Sequence, residues 1–323
     1  MHMYFLGFNW NPNDIIFKIG FIQIKYYNLL WILAFVVGWY LMKKIFKKEN
    51  ISLEKLDSLF VYAVVSIMLG ARLGHVFFYD WDYYKDHLLE ILLPIRESAD
   101  ESLFGFINGY EFTGFTGLAS HGAAIAAIIA LYLFSRKYKE MKFLWLLDRV
   151  TIVCAIGAAF VRLGNFFNSE INGKVVEKSF ALATRFIRDS DDMPAYQAMR
   201  LTKEKTASAA YMAIENNPQF VEILEGIPYR HPAQLYEAFL YVILFIAMWY
   251  LYWKTNKGQK NGFFFGLFMV GLWTARFVVE YFKKSQGGFE ETWGTFTTGQ
   301  WLSIPMILVG LYFMFRPVKE KTS

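Results

Sequence analysis

Seven long runs of apolar residues alternate with polar segments along the chain. An α-helix needs about 20 apolar residues to cross the roughly 30 Å hydrocarbon core of a bilayer, and each run approaches that length. We predict membrane spans at about residues 26–42, 59–79, 118–134, 143–161, 235–253, 263–282 and 300–315. The pattern therefore predicts an all-α polytopic membrane protein with seven transmembrane helices.

Two of the polar segments are long enough to fold outside the bilayer. In segment 80–117 the stretch "HLLEILLPIRE" is apolar but too short to cross, so we expect it to lie in the interface. Segment 174–230 predicts a small head, with one helix over "PAYQAMRLTKEKTASAAYMAIE" that stops near Pro218. The predicted organisation is a membrane part at 1–173, this head at 174–230, and a second membrane part at 231–323.

Lysine and arginine residues concentrate in alternate loops. Basic clusters follow the first, third, fifth and seventh spans, whereas segment 80–117 carries Lys85 and Arg96 against eight acidic residues. Because short cytoplasmic loops are rich in basic residues, we place the C-terminus in the cytoplasm and the N-terminus and head outside. This basic fringe accounts for the net charge of +5, so no nucleic-acid partner is predicted.

The composition excludes several kinds of protein and site. With 55% hydrophobic and 19% charged residues, the chain is too apolar for an ordinary soluble domain. Cys154 is the only cysteine, which rules out an internal disulfide and a cysteine metal centre. The sequence has no glycine-rich nucleotide loop and no histidine-rich cluster, so we predict no cofactor and no metal.

Polar and ionisable residues fall at one depth in six of the seven predicted spans. Counted from the inner end of each span, Arg72, Arg162 and Arg276 lie about 13 to 19 residues on, roughly 20 to 29 Å across. In the spans that run the other way, the polar residues near the outer end are Tyr27, His121, Tyr236 and Glu237. An ionisable group inside a bilayer is costly and needs a partner or a function, so the shared level predicts one site.

Each of these residues also has a structural interpretation. An arginine at this depth can reach the headgroups or hold a loop, and Glu280, four residues after Arg276, has ordinary ion-pair spacing. His121 is either a core histidine or a proton acceptor, since an imidazole titrates near neutral pH. Tyr236 is either an interfacial anchor or a site residue. Three guanidinium groups at one level fit phosphate oxygens, and the phosphate at that level is a phospholipid's.

One short motif occurs twice. "ARLGHVFFYD" at 71–80 and "VRLGNFFNSE" at 161–170 share Arg-Leu-Gly, and each closes a span that runs from inside to outside. A true internal repeat requires more matches than this. The echo therefore predicts local similarity and no more.

The second of these stretches resembles the signature of a known family. "VRLGNFFNSEING" at 161–173 is similar to the signature of the prolipoprotein diacylglyceryl transferase family. Six further stretches resemble the family in order: "KYYNLLW", "GARLGHVFFYD", "SHGA", "RHPAQLYEA", "ARFVVEYF" and "GQWLSIPM". The resemblance covers nearly the whole chain. It implies a seven-span enzyme of the bacterial inner membrane with its active site toward the periplasm.

The resemblance also implies a reaction and a set of residues. The family moves the diacylglyceryl group of phosphatidylglycerol onto the lipobox cysteine in the signal peptide of a prolipoprotein, forming a thioether and releasing glycerol phosphate. The family's functional residues match Tyr27, His121, Arg162, Asn165, Glu170, Gly173, Arg276 and Glu280. Four positions depart from the family's usual pattern: Val161 and Ser169 replace glycines, Leu272 a tyrosine, and Lys283 an arginine.

The depth of the charges and the resemblance give one hypothesis. Arg162 and Arg276 hold the lipid phosphate and offset its charge as the carbon–oxygen bond breaks. Either His121 or Glu280 takes the proton from the substrate cysteine, which attacks as a thiolate. The predicted substrate-binding residues are Tyr27, Arg72, Asn165, Asn168, Glu170, Gly173, Tyr236 and Glu237.

Two other kinds of protein fit parts of the pattern. A transporter for lipids or anionic solutes also needs arginines in its spans, although transporters usually bind near the midplane and show internal repeats. A membrane scaffold with an outer head for a partner does not require these arginines. The predicted partners are phosphatidylglycerol, the prolipoprotein signal peptide and the surrounding membrane lipids.

Overall fold

The structure of this chain is a computed structural model that describes residues 7–13, 15–19, 22–103, 107–113, 117–284 and 294–317. Helices dominate the described residues. They are α1 (Tyr26–Lys48), α2 (Leu53–Phe78), α3 (Trp81–Tyr84), α4 (Leu88–Leu92), α5 (Ser120–Lys137), α6 (Phe143–Phe167), α7 (Ala195–Thr202), α8 (Ala207–Asn216), α9 (Val221–Gly226), α10 (Ala233–Lys254), α11 (Phe263–Val279) and α12 (Thr298–Phe315). A 3₁₀ turn, Glu280–Phe282, extends α11.

Six helices in the described part of the chain are long and apolar enough to cross a membrane. They are α1, α2, α6, α10, α11 with its 3₁₀ turn, and α12. The protein is therefore a mostly helical, polytopic membrane protein. The remaining predicted span, 118–134, corresponds to α5, whose 18 residues include Ser120, His121, Arg136 and Lys137 at its two ends. These polar ends shorten its apolar stretch.

Short strands are a feature that the all-α prediction missed. The described residues contain β1 (Phe8–Trp10), β2 (Ile15–Ile19), β3 (Ile22–Lys25), β4 (Ile95–Leu103), β5 (Ile107–Phe112), β6 (Thr184–Phe186) and β7 (Tyr229–Arg230). β2 pairs with β3 and β4 with β5, both antiparallel. β1, β6 and β7 have three residues or fewer, too few for an alternating pattern to be read from the sequence.

The chain folds as two compact units, Met42–Leu147 and the combination of Met1–Leu41 with Asp148–Ser323. In the first unit α2 and α5 pack through glycines. A Cβ atom at Gly122 would lie 2.1 Å from the carbonyl oxygen of Gly70, so no larger residue fits there. Small residues of this kind let membrane helices approach closely. In the same unit Leu88, Leu89 and Leu92 of α4 are exposed, as an interface-lying segment requires.

The second unit contains the remaining membrane helices and the head. α11 and α12 approach closely at Gly266 and Gly310, where a Cβ on Gly266 would lie 2.6 Å from the Gly310 carbonyl oxygen. Near the start of α6, the Asp148 carboxylate accepts hydrogen bonds from the backbone N–H groups of Gly262 and Phe265, at 2.7 and 2.8 Å. A buried carboxylate thus caps the start of α11.

The head joins the N-terminal strand to the segment after α6. β1 pairs in parallel with β6, and β6 pairs antiparallel with β7. Helices α7, α8 and α9 enclose a small core of their own, which includes Ile187, Met193, Ala198, Tyr211 and Ile214. The N-terminal residues and the head therefore lie on the same side of the membrane helices.

The single helix predicted in the head is wrong in one respect. The structure has two helices, α7 and α8, because Lys203 adopts a left-handed conformation with φ 61° and ends α7. Thr206 then caps α8 by accepting a hydrogen bond from the backbone N–H of Ala209. As predicted, α8 stops before Pro218, and Asn217 is extended.

Candidate functional site

Arg162, on α6, is the centre of a buried polar network. Its Nε atom lies 2.6 Å from Oε2 of Glu237 on α10, and Glu237 is fully buried. Its Nη1 atom donates to Oδ1 of Asn165 at 3.1 Å. Sequence analysis placed Arg162 and Glu237 at one depth, and the structure pairs them directly.

The polar residues that follow Arg162 belong to the same network. Asn165 Nδ2 donates to Oε1 of Glu170 at 2.6 Å, and Asn168 Nδ2 lies 3.4 Å from the same oxygen. The chain turns back here because Ser169 and Ile171 adopt positive φ angles of 56° and 62°. Glu170 is thereby returned to the end of the helix that carries Arg162.

Lys283 connects this network to Glu280. Its Nζ donates to Oε1 of Glu237 at 2.9 Å and lies 3.6 Å from Oε2 of Glu280. Lys283 is 4% exposed, so the ammonium is held in a site largely closed to water. Two cations, Arg162 and Lys283, thus face two carboxylates, as a buried cluster of charges requires. The sequence offered one signal for Lys283, its place three residues after Glu280.

Arg276, on α11, differs from Arg162 in its contacts. Its Nε is buried and, among the described residues, makes no hydrogen bond. Its guanidinium carbon lies 5.8 Å from the ring centre of Trp273. The buried Tyr241 interacts electrostatically with both Arg162 and Arg276. In the described part of the chain, Glu280 Oε2 is likewise buried without a hydrogen bond.

Tyr27 joins this group from α1. A Cβ atom on Gly164 would lie 2.8 Å from the Tyr27 ring, so the ring packs directly on the backbone of α6. Tyr27 also interacts electrostatically with Arg162 and Glu170. The structure therefore brings together Tyr27, Arg162, Asn165, Asn168, Glu170, Glu237, Arg276 and Glu280 of the predicted residues.

Gly173 lies where three chain segments cross. A Cβ atom there would lie 2.5 Å from Cβ of His231 and 2.7 Å from the carbonyl oxygen of Phe282. Its own N–H donates to the His231 carbonyl at 2.9 Å. The close approach that glycine permits here is to protein backbone, and a contact with substrate stays a prediction.

Tyr236 contacts a different set of residues. Its hydroxyl lies 3.0 Å from Nδ1 of His231, and its ring packs edge-on against Phe282. Burial lowers the pKa of His231 from its ordinary value of 6.5, and the positive charge of Lys174 lowers it further. Both effects favour the neutral form of the imidazole. A substrate-binding role for Tyr236 stays a prediction.

Two predicted residues, Arg72 and His121, belong to the Met42–Leu147 unit. Arg72 is buried and donates to the backbone carbonyls of Glu90 and Ile91, and its guanidinium lies over the Tyr84 ring at 4.7 Å. These contacts fit the loop-holding alternative for Arg72. His121 is the second residue of α5 and its side chain is exposed. The substrate roles of both residues stay predictions.

A second polar network, not predicted from the sequence, lies behind Glu170. Gln234 Nε2 donates to the Glu170 carbonyl and to Oδ1 of Asn172, each at 2.6 Å. Asn172 in turn donates to Asp189 of the head at 2.9 Å, which ties the signature segment to that region. Arg230 adds two hydrogen bonds to Asp192, both 2.6 Å. These partners are distant in sequence, so no local pattern indicated them.

The twice-occurring Arg-Leu-Gly motif is followed by the same two contacts in both places, although the backbone is left-handed at Ser169 and not at the equivalent Tyr79. In each copy, the residue three positions after the arginine contacts the acidic residue eight positions after it. His75 Nε2 lies 2.8 Å from Asp80 in the first copy, and Asn165 Nδ2 lies 2.6 Å from Glu170 in the second. In both copies the backbone N–H of the acidic residue donates to the carbonyl of the earlier one, at 3.3 and 3.1 Å. The echo therefore reflects a shared helix ending.

The described residues contain one group of donors with metal-ligand character. Donor atoms of His87, Glu90 and Glu97 lie within 4.8 Å of one another. Glu90 already accepts hydrogen bonds from the Tyr83 hydroxyl and the Glu97 N–H, at 2.9 and 2.8 Å. Both carboxylate oxygens of Glu90 are thus already engaged in hydrogen bonds within the protein.

Fold and site together define a polytopic membrane protein with a buried network of charged side chains among its helices. Comparison with known sequences specifies the family. The chain belongs to the prolipoprotein diacylglyceryl transferase family, whose sequence model matches residues 14–316. This confirms the resemblance inferred from the sequence motifs.

Full-length relatives support the same assignment. The chain is 37% identical over 322 residues to the phosphatidylglycerol--prolipoprotein diacylglyceryl transferase of Bacteroides fragilis, with 100% of this chain and 99% of the relative covered. The enzyme of that name from Tolumonas auensis is 34% identical, over 97% of this chain and 98% of its own length. That from Chloroherpeton thalassium is 33% identical, over 97% of each.

Proposed function

We propose that this chain is a transferase that moves the diacylglyceryl group of phosphatidylglycerol to the lipobox cysteine thiol of prolipoproteins, the first step of lipoprotein maturation. The observation that carries the proposal is the guanidinium of Arg276, whose buried Nε has no hydrogen-bond partner among the described residues. A buried, charged donor without a partner is costly unless a ligand completes it. A lipid phosphate supplies matching oxygens.

The reaction exchanges a carbon–oxygen bond of the lipid for a carbon–sulfur bond and moves the thiol proton to a base. A base takes the thiol proton, and the sulfur attacks the carbon of the diacylglyceryl group that carries the phosphate. The carbon–oxygen bond breaks, its electron pair stays on the phosphate oxygen, and glycerol phosphate leaves with the additional negative charge. Arg276 and Arg162 offset that charge, which is greatest once the bond has broken. Glu237 and Asn165 hold the Arg162 guanidinium in place.

The signature segment supplies groups for the lipid's glycerol headgroup. Glu170 accepts the hydrogen bonds of Asn165 and Asn168 at Oε1, which leaves the lone pairs of Oε2 for a substrate hydroxyl. Tyr27 lines the same site. Arg72, Gly173, Tyr236 and Glu237 complete the proposed substrate-binding set. No cofactor takes part in this proposal.

The identity of the base is a testable part of the proposal. We assign it to His121, with Glu280 as the alternative, since Glu280 Oε2 is buried and has no hydrogen bond among the described residues. His121→Gln is expected to lower kcat by about 100-fold or more, because a general base typically contributes that much. Initial rates for His121→Gln and Glu280→Gln measure the two contributions. Full activity of His121→Gln would remove His121 as the base.

We further propose that seven helices cross the membrane, with the N-terminus and head in the periplasm and the C-terminus in the cytoplasm. The pairing of β1 with β6 supports an even number of crossings between them. With α1, α2 and α6 crossing, a crossing by α5 makes that number even, which supports α5 as the seventh span. The lysines and arginines after α1, α5, α10 and α12 support the orientation. On this topology the site lies on the periplasmic side of the bacterial inner membrane.

One assay tests the function directly. Purified protein in lipid is incubated with phosphatidylglycerol and a peptide that carries a lipobox cysteine, and the peptide is examined by mass spectrometry. We expect a mass increase equal to one diacylglyceryl group. A peptide with serine in place of the cysteine is the negative control and should show no increase. No increase with folded protein would favour the transporter or scaffold alternatives, and a flux assay with phosphatidylglycerol vesicles separates those two.

A further inference from the structure

The stretch "GQWLSIPM" resembles the family but has no place in the mechanism above. Its first residue, Gly299, is the second residue of α12 and is buried. A Cβ atom on Gly299 would lie 2.5 Å from Cδ of Glu280 and 2.6 Å from each carboxylate oxygen. Real Cβ contacts are never this short, so the Glu280 carboxylate occupies the space that a side chain at 299 would fill.

The backbone around Gly299 is fixed from two sides. Thr297 and Gln300 form a capping box, in which the Thr297 hydroxyl accepts from the Gln300 N–H and Gln300 Oε1 accepts from the Thr297 N–H. Gln300 Nε2 also donates to the Phe277 carbonyl of α11, at 3.3 Å. Because this turn is held in place, a side chain at 299 would displace the carboxylate and leave the helix where it is.

The start of α12 also suits a carboxylate electrostatically. The first turn of a helix carries a partial positive charge from its N–H groups, which favours an anion nearby. On its other side, Glu280 Oε2 lies 3.6 Å from Lys283 Nζ, and Lys283 pairs with Glu237 at 2.9 Å. A shift of Glu280 therefore reaches Arg162 through Lys283 and Glu237.

We propose that Gly299 is a positioning residue for the reaction. Its missing side chain forms the seat of the Glu280 carboxylate, and that seat sets the alignment of Lys283, Glu237 and Arg162. The inference rests on the proposed function only in treating Glu280 as part of the active site. Glycine is required here for space, since Gly299 does not adopt a positive φ.

A double-mutant cycle tests the seat. Gly299→Ala, Glu280→Asp and the double variant are compared with the unaltered protein for initial rates and for thermal unfolding. Gly299→Ala is expected to lower kcat by about 10- to 100-fold with little change in the KM for phosphatidylglycerol, because a displacement near 1 Å has that effect. In the Glu280→Asp background the shorter side chain vacates the seat, so the added alanine costs less than about twofold.

Gly157→Ala is the matched control. Gly157 also lies in a membrane helix, α6, but a Cβ atom there would meet no atom within 4 Å. This variant is expected to keep the unaltered rate and unfolding temperature. Equal losses from Gly299→Ala in the Glu and Asp backgrounds would overturn the proposal, as would full kcat in Gly299→Ala.

The unfolding measurement separates this inference from the proposed function. If the unaltered protein forms no lipid–peptide adduct, the proposed function fails, while coupling between positions 299 and 280 in the unfolding temperature still supports the seat. If Gly299→Ala alone does not fold, recovery of folded protein by Glu280→Asp supports the same clash. Failure of both to fold, or additive unfolding shifts, would show that Gly299 serves another purpose.

Discussion

Arg276→Gln is expected to lower kcat for diacylglyceryl transfer by on the order of 1000-fold while the protein remains folded. The Nε atom of Arg276 makes no hydrogen bond to any described residue. Replacing Arg276 therefore breaks no hydrogen bond between Nε and the described part of the protein. The loss falls on the transition state, where a guanidinium offsets the charge that develops on the phosphate. Initial rates at saturating phosphatidylglycerol, with an unfolding curve for each variant, measure both quantities.

Two further variants serve as controls for the effect of Arg276→Gln on the rate. Arg200→Gln removes an exposed arginine of α7 in the head and is expected to leave the rate unchanged. Arg276→Lys keeps the charge but not the planar fork, so we expect it to recover part of the activity. A rate for Arg276→Gln within about threefold of the unaltered protein would contradict the phosphate role, since loss of one oxyanion donor usually costs far more.

Much of the membrane architecture and part of the site were predictable from the sequence. Runs of apolar residues predicted the six described helices that are suited to cross a membrane, because burial in lipid demands a long apolar segment. The helices extend beyond the predicted spans, as α1 does to Lys48, since helical hydrogen bonding continues into the basic fringe. Depth counting brought Arg162 and Glu237 to one level, and the structure joins them at 2.6 Å.

What the sequence did not predict depends on contacts between distant residues. β1 pairs with β6 across more than 170 residues, and three-residue strands leave no periodic pattern. Arg72 and Arg162 share a motif, yet Arg72 donates to backbone carbonyls and Arg162 to side chains, because different segments return to each. The contacts of Lys283 with Glu237 and Glu280 likewise depend on how α10 packs beside the end of α11, which no local pattern in the sequence indicates.

Glu237→Gln is expected to impair both folding stability and activity. Glu237 is fully buried and lies between two cations, 2.6 Å from Arg162 Nε and 2.9 Å from Lys283 Nζ. Removing its charge leaves one buried cation in excess, and breaking such a pair costs about 3 to 5 kcal/mol of the free energy of unfolding. We also expect kcat to fall by about 100-fold, because Arg162 loses the carboxylate that orients it. Thermal unfolding and initial rates measure the two effects.

The double variant Glu237→Gln/Lys283→Met separates charge balance from orientation. Methionine keeps the length of the lysine stem and removes the surplus cation, so the double variant is expected to regain most of the unfolding temperature lost by Glu237→Gln. Its rate should stay low, because Arg162 still faces an uncharged amide. Recovery of the rate together with stability would mean that Glu237 serves only to balance charge. Lys283→Met alone is the necessary control, since it leaves the contact between Arg162 and Glu237 in place.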